Sequence, residues 1–317
     1  MIMKPTTKYS AFIAAVLLVM PYVAYADQGS SSQYASQRLQ IQMAAMTCRN
    51  TYVTGYLNDV VTVINNATIT STLTNTDIPK LGTDYSALQT DATANNAAQF
   101  KTDTKTYNTD TRTGNVDAHA AIKTAHNKTV YSTLRSDMKQ LTSTYKSCLF
   151  GVKQQWAQLK GQMFNTALSH AQNMTNRLSS HGANTTALNQ TINLASSQIQ
   201  AFEAAVNSAQ NSTQLQAALD SFCLYNGCKD PNNFHFAAKT AIDADQAKLN
   251  VLAAKNSTSS FQALVSQAQT DINNAQTALN QVGSNQYQGT QSSDVWTNIK
   301  AAADLIHQLQ QIVNHKH

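Results

Sequence analysis

Apolar residues spaced alternately by fours and threes, on either side of one glycine turn, leave this chain little choice but helices. Leu134, Met138, Leu141, Tyr145, Cys148 and Val152 follow that spacing on the way in. Beyond His181-Gly182-Ala183-Asn184-Thr185, so do Leu188, Ile192, Ala195, Ile199, Phe202, Val206 and Ala209. The pattern gathers the apolar side chains on one helical stripe, the seam that two packed helices share. Gly182 suits a helix C-terminus and Asn184 an N-cap. The expected fold class is all-α: elongated antiparallel helical hairpins in a coiled-coil-like bundle, the clearest of them from Ala118 to Ala209.

The same periodicity extends outward. Tyr34 to Ile64 reads as a helix through Leu39, Met43, Met46, Val53, Leu57, Val60 and Ile64, with Asn50 at a seam position. Asn65 to Thr76 reads as a loop, and Asp77 as the cap of a helix that tolerates Pro79 in its first turn. Leu81 to Tyr107 is weakly helical because threonine is a poor helix former. Thr109 to Gly114 is expected to break it, with a central helix from Val116 to Ser180 about 95 Å long at 1.5 Å per residue. Asn211-Ser212-Thr213 caps a short helix to Phe222, and further helices are expected near Phe236–Ala254, Ser259–Val282 and Asp294–Asn314. An offset of 73 residues sets Leu188, Ile192, Ala195, Ile199 and Val206 against Phe261, Val265, Ala268, Ile272 and Leu279. The turns Asn184-Thr185-Thr186 and Asn256-Ser257-Thr258 match loosely, as in a duplicated hairpin.

The first residues carry a processing pattern. Lys4 and Lys8 precede an apolar run from Ala11 to Met20, then Pro21 and Ala24-Tyr25-Ala26. This is the layout of a secretory signal peptide, and the run is short of the roughly 20 residues a membrane span needs. The expected organisation is a signal peptide over 1–26, a long-helix hairpin region over 27–222, a disulfide-closed loop over 223–235 and a C-terminal helical hairpin over 236–317. Any membrane attachment would run through the signal peptide left uncleaved. The destination is extracytoplasmic, secreted or at the cell surface.

Charged residues make up 12% of the chain, against about 25% in ordinary soluble proteins, and Glu203 is the one glutamate. Amides and hydroxyls supply the polarity instead, although exposed helix positions usually favour Glu and Lys. A neutral surface keeps its hydrogen bonds when carboxylates protonate, which suits an acidic medium; a glycan-coated surface is the other reading. Without Lys4 and Lys8 the net charge falls from +5 to +3, too little and too scattered for nucleic acid.

Four cysteines in an exported chain read first as disulfides. Cys223 and Cys228 bracket a turn-forming stretch and suit a local bridge, which leaves Cys48 with Cys148, although four cysteines allow three pairings. Cys223, Cys228 and His235, with Asp230 nearby, fit a zinc site only loosely. Asn66, Asn127, Asn173, Asn184, Asn189, Asn211 and Asn256 head Asn-x-Ser/Thr sequons and are candidate glycan acceptors, several at positions where asparagine also caps a helix. The stretches Arg177-Leu178 through Gly182 to Leu188, and Phe222-Cys223-Leu224-Tyr225-Asn226-Gly227-Cys228 with Phe234-His235-Phe236, resemble exported all-helical hairpin proteins of archaeal type. The resemblance covers the last half of the chain and implies secretion and helices, with no activity attached.

Asp77, Asp84 and Asp91 fall at sevens, as do Asp103, Asp110 and Asp117. Such rows make acidic stripes that suit cations, but a solvated helix face is the plainer reading. His119 and His126 lie about 10 Å apart by helix rise, too far to share one ion. His170 and His181 stand farther apart, and His315 and His317 sit on the terminus. In Asn108 to Asp117, Arg112 takes a liganding place of a calcium loop and the glycine is displaced to Gly114. Trp156 and Trp296 suit a ligand groove or a core. No nucleophile elbow, phosphate loop, HExxH or dinucleotide fingerprint is present. The expectation is a non-catalytic, cofactor-free structural or interaction protein whose helical faces meet its own copies, other envelope proteins or glycans. The alternative is an extracellular binding protein for a small ligand, glycan or metal ion held between helices.

Overall fold

The computed structural model describes residues 34–65, 67–125, 128–222, 234–282 and 289–314, which are helical apart from short turns. The helices are α1 (Ala35–Ile64), α2 (Ala67–Thr72), α3 (Ile78–Thr93), α4 (Ala97–Ala125), α5 (Lys128–Ser180), α6 (Thr186–Ser208), α7 (Ser212–Ser221), α8 (Phe234–Ala253), α9 (Ser259–Gln281) and α10 (Gly289–Asn314). The signal-peptide stretch lies outside the described residues. The all-α expectation holds. The chain divides into two compact units.

The first unit comprises Ser32–His170 and Ser196–Ser221. Here the expected loop after Asn65 is instead α2 and a π-helical turn, Leu73–Asp77, that runs directly into α3. Asp77 has helical φ and ψ and makes no capping hydrogen bond, so it is not the N-cap that its position before Pro79 suggests. Two further expectations are corrected. Leu81 to Tyr107 is not one helix, because Asn95 takes φ +56° and the chain reverses at Ala94–Asn96. The amides of Asn95 and Asn96 donate to the carbonyls of Ala92 and Asp91, and Asn96 Oδ1 then accepts the Gln99 amide at 3.1 Å. Thr109–Gly114 does not interrupt α4; the hydroxyls of Thr109 and Thr113 turn inward to backbone carbonyls four residues back.

The core of α1, α3 and α4 is Leu39, Met46, Leu57, Val60, Leu81, Leu88, Phe100 and Tyr107 with their neighbours. Asn50, the polar intruder in the α1 seam, accepts the Tyr107 hydroxyl at 3.0 Å. The incoming stripe Leu134–Val152 packs on α1 rather than on α6. Tyr145 meets Tyr52 with ring centroids 5.0 Å apart, Gly55 makes room for Leu141, and Cys48 is disulfide-bonded to Cys148 with Cα atoms 5.7 Å apart. The stretch of α5 that meets α6 in this unit lies further on: Gln154 Nε2 donates to the Val206 carbonyl at 2.9 Å, and Phe164 meets Phe202 edge-on. At the start of α7 Asn211 Oδ1 accepts the Gln214 amide at 3.0 Å, and Gln214 Oε1 accepts the Gln210 amide at 2.8 Å.

The second unit takes Ala171–Ala195 and Phe222–His317, so the hinge joins this unit although the sequence groups it with 27–222. Gly182 has φ +82°. The amides of Ala183 and Gly182 donate to the carbonyls of Leu178 and Ser179, the paired bonds of a left-handed helix end that glycine accepts without a Cβ clash. Asn184 Oδ1 accepts the Thr186 amide at 3.0 Å, and Asn256 Oδ1 accepts the Thr258 amide at 3.0 Å. The two turns matched in sequence therefore share one hydrogen-bond pattern. Helices α8, α9 and α10 close around Phe234, Ile242, Phe261, Ala268, Ile272, Val295, Ala302 and Leu309.

In both units, surface positions that usually carry Glu–Lys pairs carry Gln followed four residues on by Asn or Asp. The Gln amide donates to the Asx oxygen at Gln99–Asp103, Gln172–Asn176, Gln216–Asp220, Gln246–Asn250, Gln269–Asn273 and Gln276–Asn280. These pairs support a helix by a few tenths of a kcal/mol each, and an amide donor is indifferent to salt and to protonation of its own.

Candidate functional site

The reversal at Ala94–Asn96 lays α4 antiparallel along α3. Antiparallel pairing advances one helix while stepping back along the other, so two rows with equal spacing meet rung by rung. Asp77 faces Asp117, Asp84 faces Asp110 and Asp91 faces Asp103, each within side-chain hydrogen-bonding reach. Successive rungs are two helical turns apart, about 10 Å. The aspartates are not a solvated face. Asp77, Asp91 and Asp110 are buried, at 5%, 8% and 8% exposure.

These residues occupy seam positions. From the end of the π turn through α3 the seam reads Asp77, Leu81, Asp84, Leu88, Asp91; on α4 it reads Phe100, Asp103, Tyr107, Asp110, Gly114, Asp117, Ala121. Gly114 is required by closeness. A Cβ there would crowd Leu57 Cδ1 at 3.2 Å and stand in ordinary contact with Asp77 Cβ at 3.5 Å, so the missing side chain makes room for Leu57.

The electrostatics follow from burial and like charge. Burial first, then the Asp110 carboxyl opposite, pushes Asp84 up to about 6. Asp77 is raised by burial and by Asp117, and Asp91 by burial and its hydrogen bond to Asp103. Burial alone would raise Asp110 as well. The Lys80 ammonium, 2.7 Å away, and the hydrogen bond from Asp84 outweigh it and hold Asp110 below the ordinary value. Of the two, Asp84 is the carboxyl that keeps a proton to the higher pH. On α1, burial and the charge of Asp137 on α5 raise Asp59.

The other sequence candidates lie apart from this ladder. Of the expected disulfides, Cys48–Cys148 is present, while Cys223 and Cys228, with Asp230, fall outside the described residues. His235 is buried, and its Nε2 donates to the Val282 carbonyl at 2.9 Å. Among the sequons, Asn66 and Asn127 lie outside the described residues. Asn173, Asn184 and Asn211 are exposed, and Asn189 and Asn256 are half-buried. Asn189 Nδ2, the atom a glycan would take, donates to Thr185 Oγ1 at 3.3 Å. His119, His170 and His181 are exposed on separate stretches, and His126, His315 and His317 lie outside the described residues. Trp156 packs half-buried against the α1–α5 core; Trp296 is 42% exposed and meets Phe234 edge-on. In the second unit, buried Asp243 accepts from Thr191 Oγ1 at 3.0 Å and pairs with Lys239. Among the described residues no helix is long and apolar enough to cross a membrane.

Comparison with known protein families, with curated proteins and with solved structures finds no match.

Proposed function

We propose that this is a non-catalytic exported protein that works at the cell envelope or outside it, presenting helical faces to its own copies, to other envelope proteins or to glycans. The observation that carries the exported setting is the Cys48–Cys148 bond between α1 and α5, a linkage that persists in oxidising compartments and is rare in the cytosol. The amino-terminal basic, apolar and small-residue pattern supports the same setting, as does the resemblance to exported hairpin proteins of archaeal type. An interaction role draws on the exposed faces. Their amides and hydroxyls hydrogen-bond along their own helix and keep spare donors and acceptors for a neighbouring helix or a sugar hydroxyl.

Multi-angle light scattering of the purified chain, started at Asp27, tests the reading. Self-association at micromolar concentration, or capture on a glycan array, is the expected outcome. A strict monomer that binds no glycan and gains thermal stability with one specific small molecule would replace this reading with that of a ligand-binding protein.

A further inference from the structure

Seam positions that usually carry leucine carry aspartate in the π turn, α3 and α4, and each of them meets an aspartate opposite. Asp77, Asp91 and Asp110 are more than nine-tenths buried. Among the described residues no hydrogen-bond donor reaches Asp77 Oδ2, Asp84 Oδ2, Asp91 Oδ2 or Asp110 Oδ2. Two carboxyl oxygens at hydrogen-bonding range bond only when one of them carries a proton. We propose that the three rungs form an acid-set clasp, in which each pair of aspartates holds one shared proton that bonds α3 to α4, and release of those protons towards neutral pH loosens this hairpin.

The surroundings leave the rungs to their own protons. On α3, Lys80 reaches Asp110 and weakly offsets Asp77 and Asp84. On α4, Lys101, Lys105, Arg112, His119 and Lys123 are exposed. From α1, the Arg49 guanidinium lies over the Tyr107 ring at 5.8 Å and Asp59 faces Asp137, while Tyr85 of α3 shares a hydrogen bond with Thr47. Neither α2 nor the rest of the π turn carries a charged residue. A metal ion is a poorer occupant. Each rung offers two carboxyls about 10 Å from the next pair, and among the described residues no three His, Cys, Asp or Glu side chains converge to hold an ion.

The sign of the effect follows from which state holds the proton. A carboxyl raised by folding keeps a proton that the unfolded chain has released, so stability falls as pH rises. For Asp84 the window opens near the ordinary aspartate value of about 3.9 and closes at about 6; Asp77 and Asp91 act in the same direction. Asp110 acts the other way, since its charged form is the one held in the fold and its contribution is lost below the ordinary value. The first unit is therefore expected to be most stable in mildly acidic solution and weaker at neutrality.

Two measurements on the full chain, disulfide intact, decide the matter. Carboxyl carbon NMR of the wild type should show Asp84 titrating near 6, with Asp77 and Asp91 also above ordinary aspartate. Ordinary titration of all three overturns the clasp, whether or not any variant folds. The second measurement compares thermal unfolding of the wild type with that of the triple variant Asp77→Asn, Asp84→Asn, Asp91→Asn, in which amides donate permanently. The wild-type melting temperature should fall between pH 5 and pH 7, and the variant should lose that fall and melt higher at pH 7. A flat wild-type profile, or an unchanged slope in the variant, refutes the proposal. So does a calcium- or magnesium-dependent gain at pH 7 that the variant lacks, which would assign the rungs to a cation.

Discussion

Asn50 of α1 accepts the hydroxyl hydrogen of Tyr107 of α4 at 3.0 Å, so an amide in one apolar seam is satisfied by a phenol in another. Tyr107 is fully buried, and burial pushes its hydroxyl up to about 12, which keeps it a donor at any ordinary pH. Replacing Tyr107 by Phe preserves shape and leaves Asn50 Oδ1 without that donor. The expected cost is about 1–2 kcal/mol in urea unfolding. Adding Asn50→Leu should recover most of it, because losing both partners is cheaper than losing one.

Asp110→Asn separates burial from charge at the middle rung. It removes the negative group that raises Asp84 but leaves Asp84 as buried as before. The Asp84 midpoint should drop below about 6 yet stay above the ordinary aspartate value of about 3.9. Carboxyl NMR reads this directly. A midpoint that did not move would mean that burial alone sets it.

Gly114→Ala tests the close approach of α4. Alanine is the better helix former by about 1 kcal/mol, so an open site would gain stability. Here the new methyl meets Leu57, which is fully buried and has little room to yield. Overpacking of this kind costs about 1–3 kcal/mol, and a net loss of about 1 kcal/mol is expected. Gly82, with nothing near its Cβ position, is the control: Gly82→Ala should stabilise.

Reducing Cys48–Cys148, or substituting both cysteines by alanine, should lower unfolding stability on the order of 4 kcal/mol by the chain-entropy account, since the bond closes a sequence separation of 100. Denaturant titration with and without reductant measures it, and circular dichroism should still show helix at low denaturant.

The sequence reveals helices readily because their seams are apolar, and it misleads where the seams are polar. The gaps of three and four mark α1, α6, α9 and α10 to within a few residues. Gly182, Asn184 and Asn211 mark turns and caps because each acts on its own backbone. Asp77, Asp84 and Asp91 keep the same rhythm with Leu81 and Leu88, and Asp103, Asp110 and Asp117 keep it with Phe100 and Tyr107. Reading aspartate as surface hides that. The pairing also depends on the reversal at Asn95, a left-handed asparagine inside a threonine-rich stretch with no glycine or proline to announce it. The partner of the Leu134–Val152 stripe is illegible for another reason: one apolar face fits any other, and only Cys148, paired with Cys48, singles out α1. Low charge suggested indifference to pH. The raised carboxyls of Asp77, Asp84 and Asp91 in the seam change that expectation to a preference for mild acid.

Two contacts along α1 and α5, and one charge felt across them, fix more than proximity. Cys48–Cys148, Gly55 against Leu141 and Asp59 beside Asp137 march in opposite directions along the two helices like marks on a vernier. One covalent mark forbids sliding, and a notch at Gly55 that admits a single leucine sets the rotation. Removing any one residue between Leu141 and Cys148 would turn the helix by about 100° and set the marks against each other. This stretch of α5 should therefore tolerate substitution far better than it tolerates a change of length.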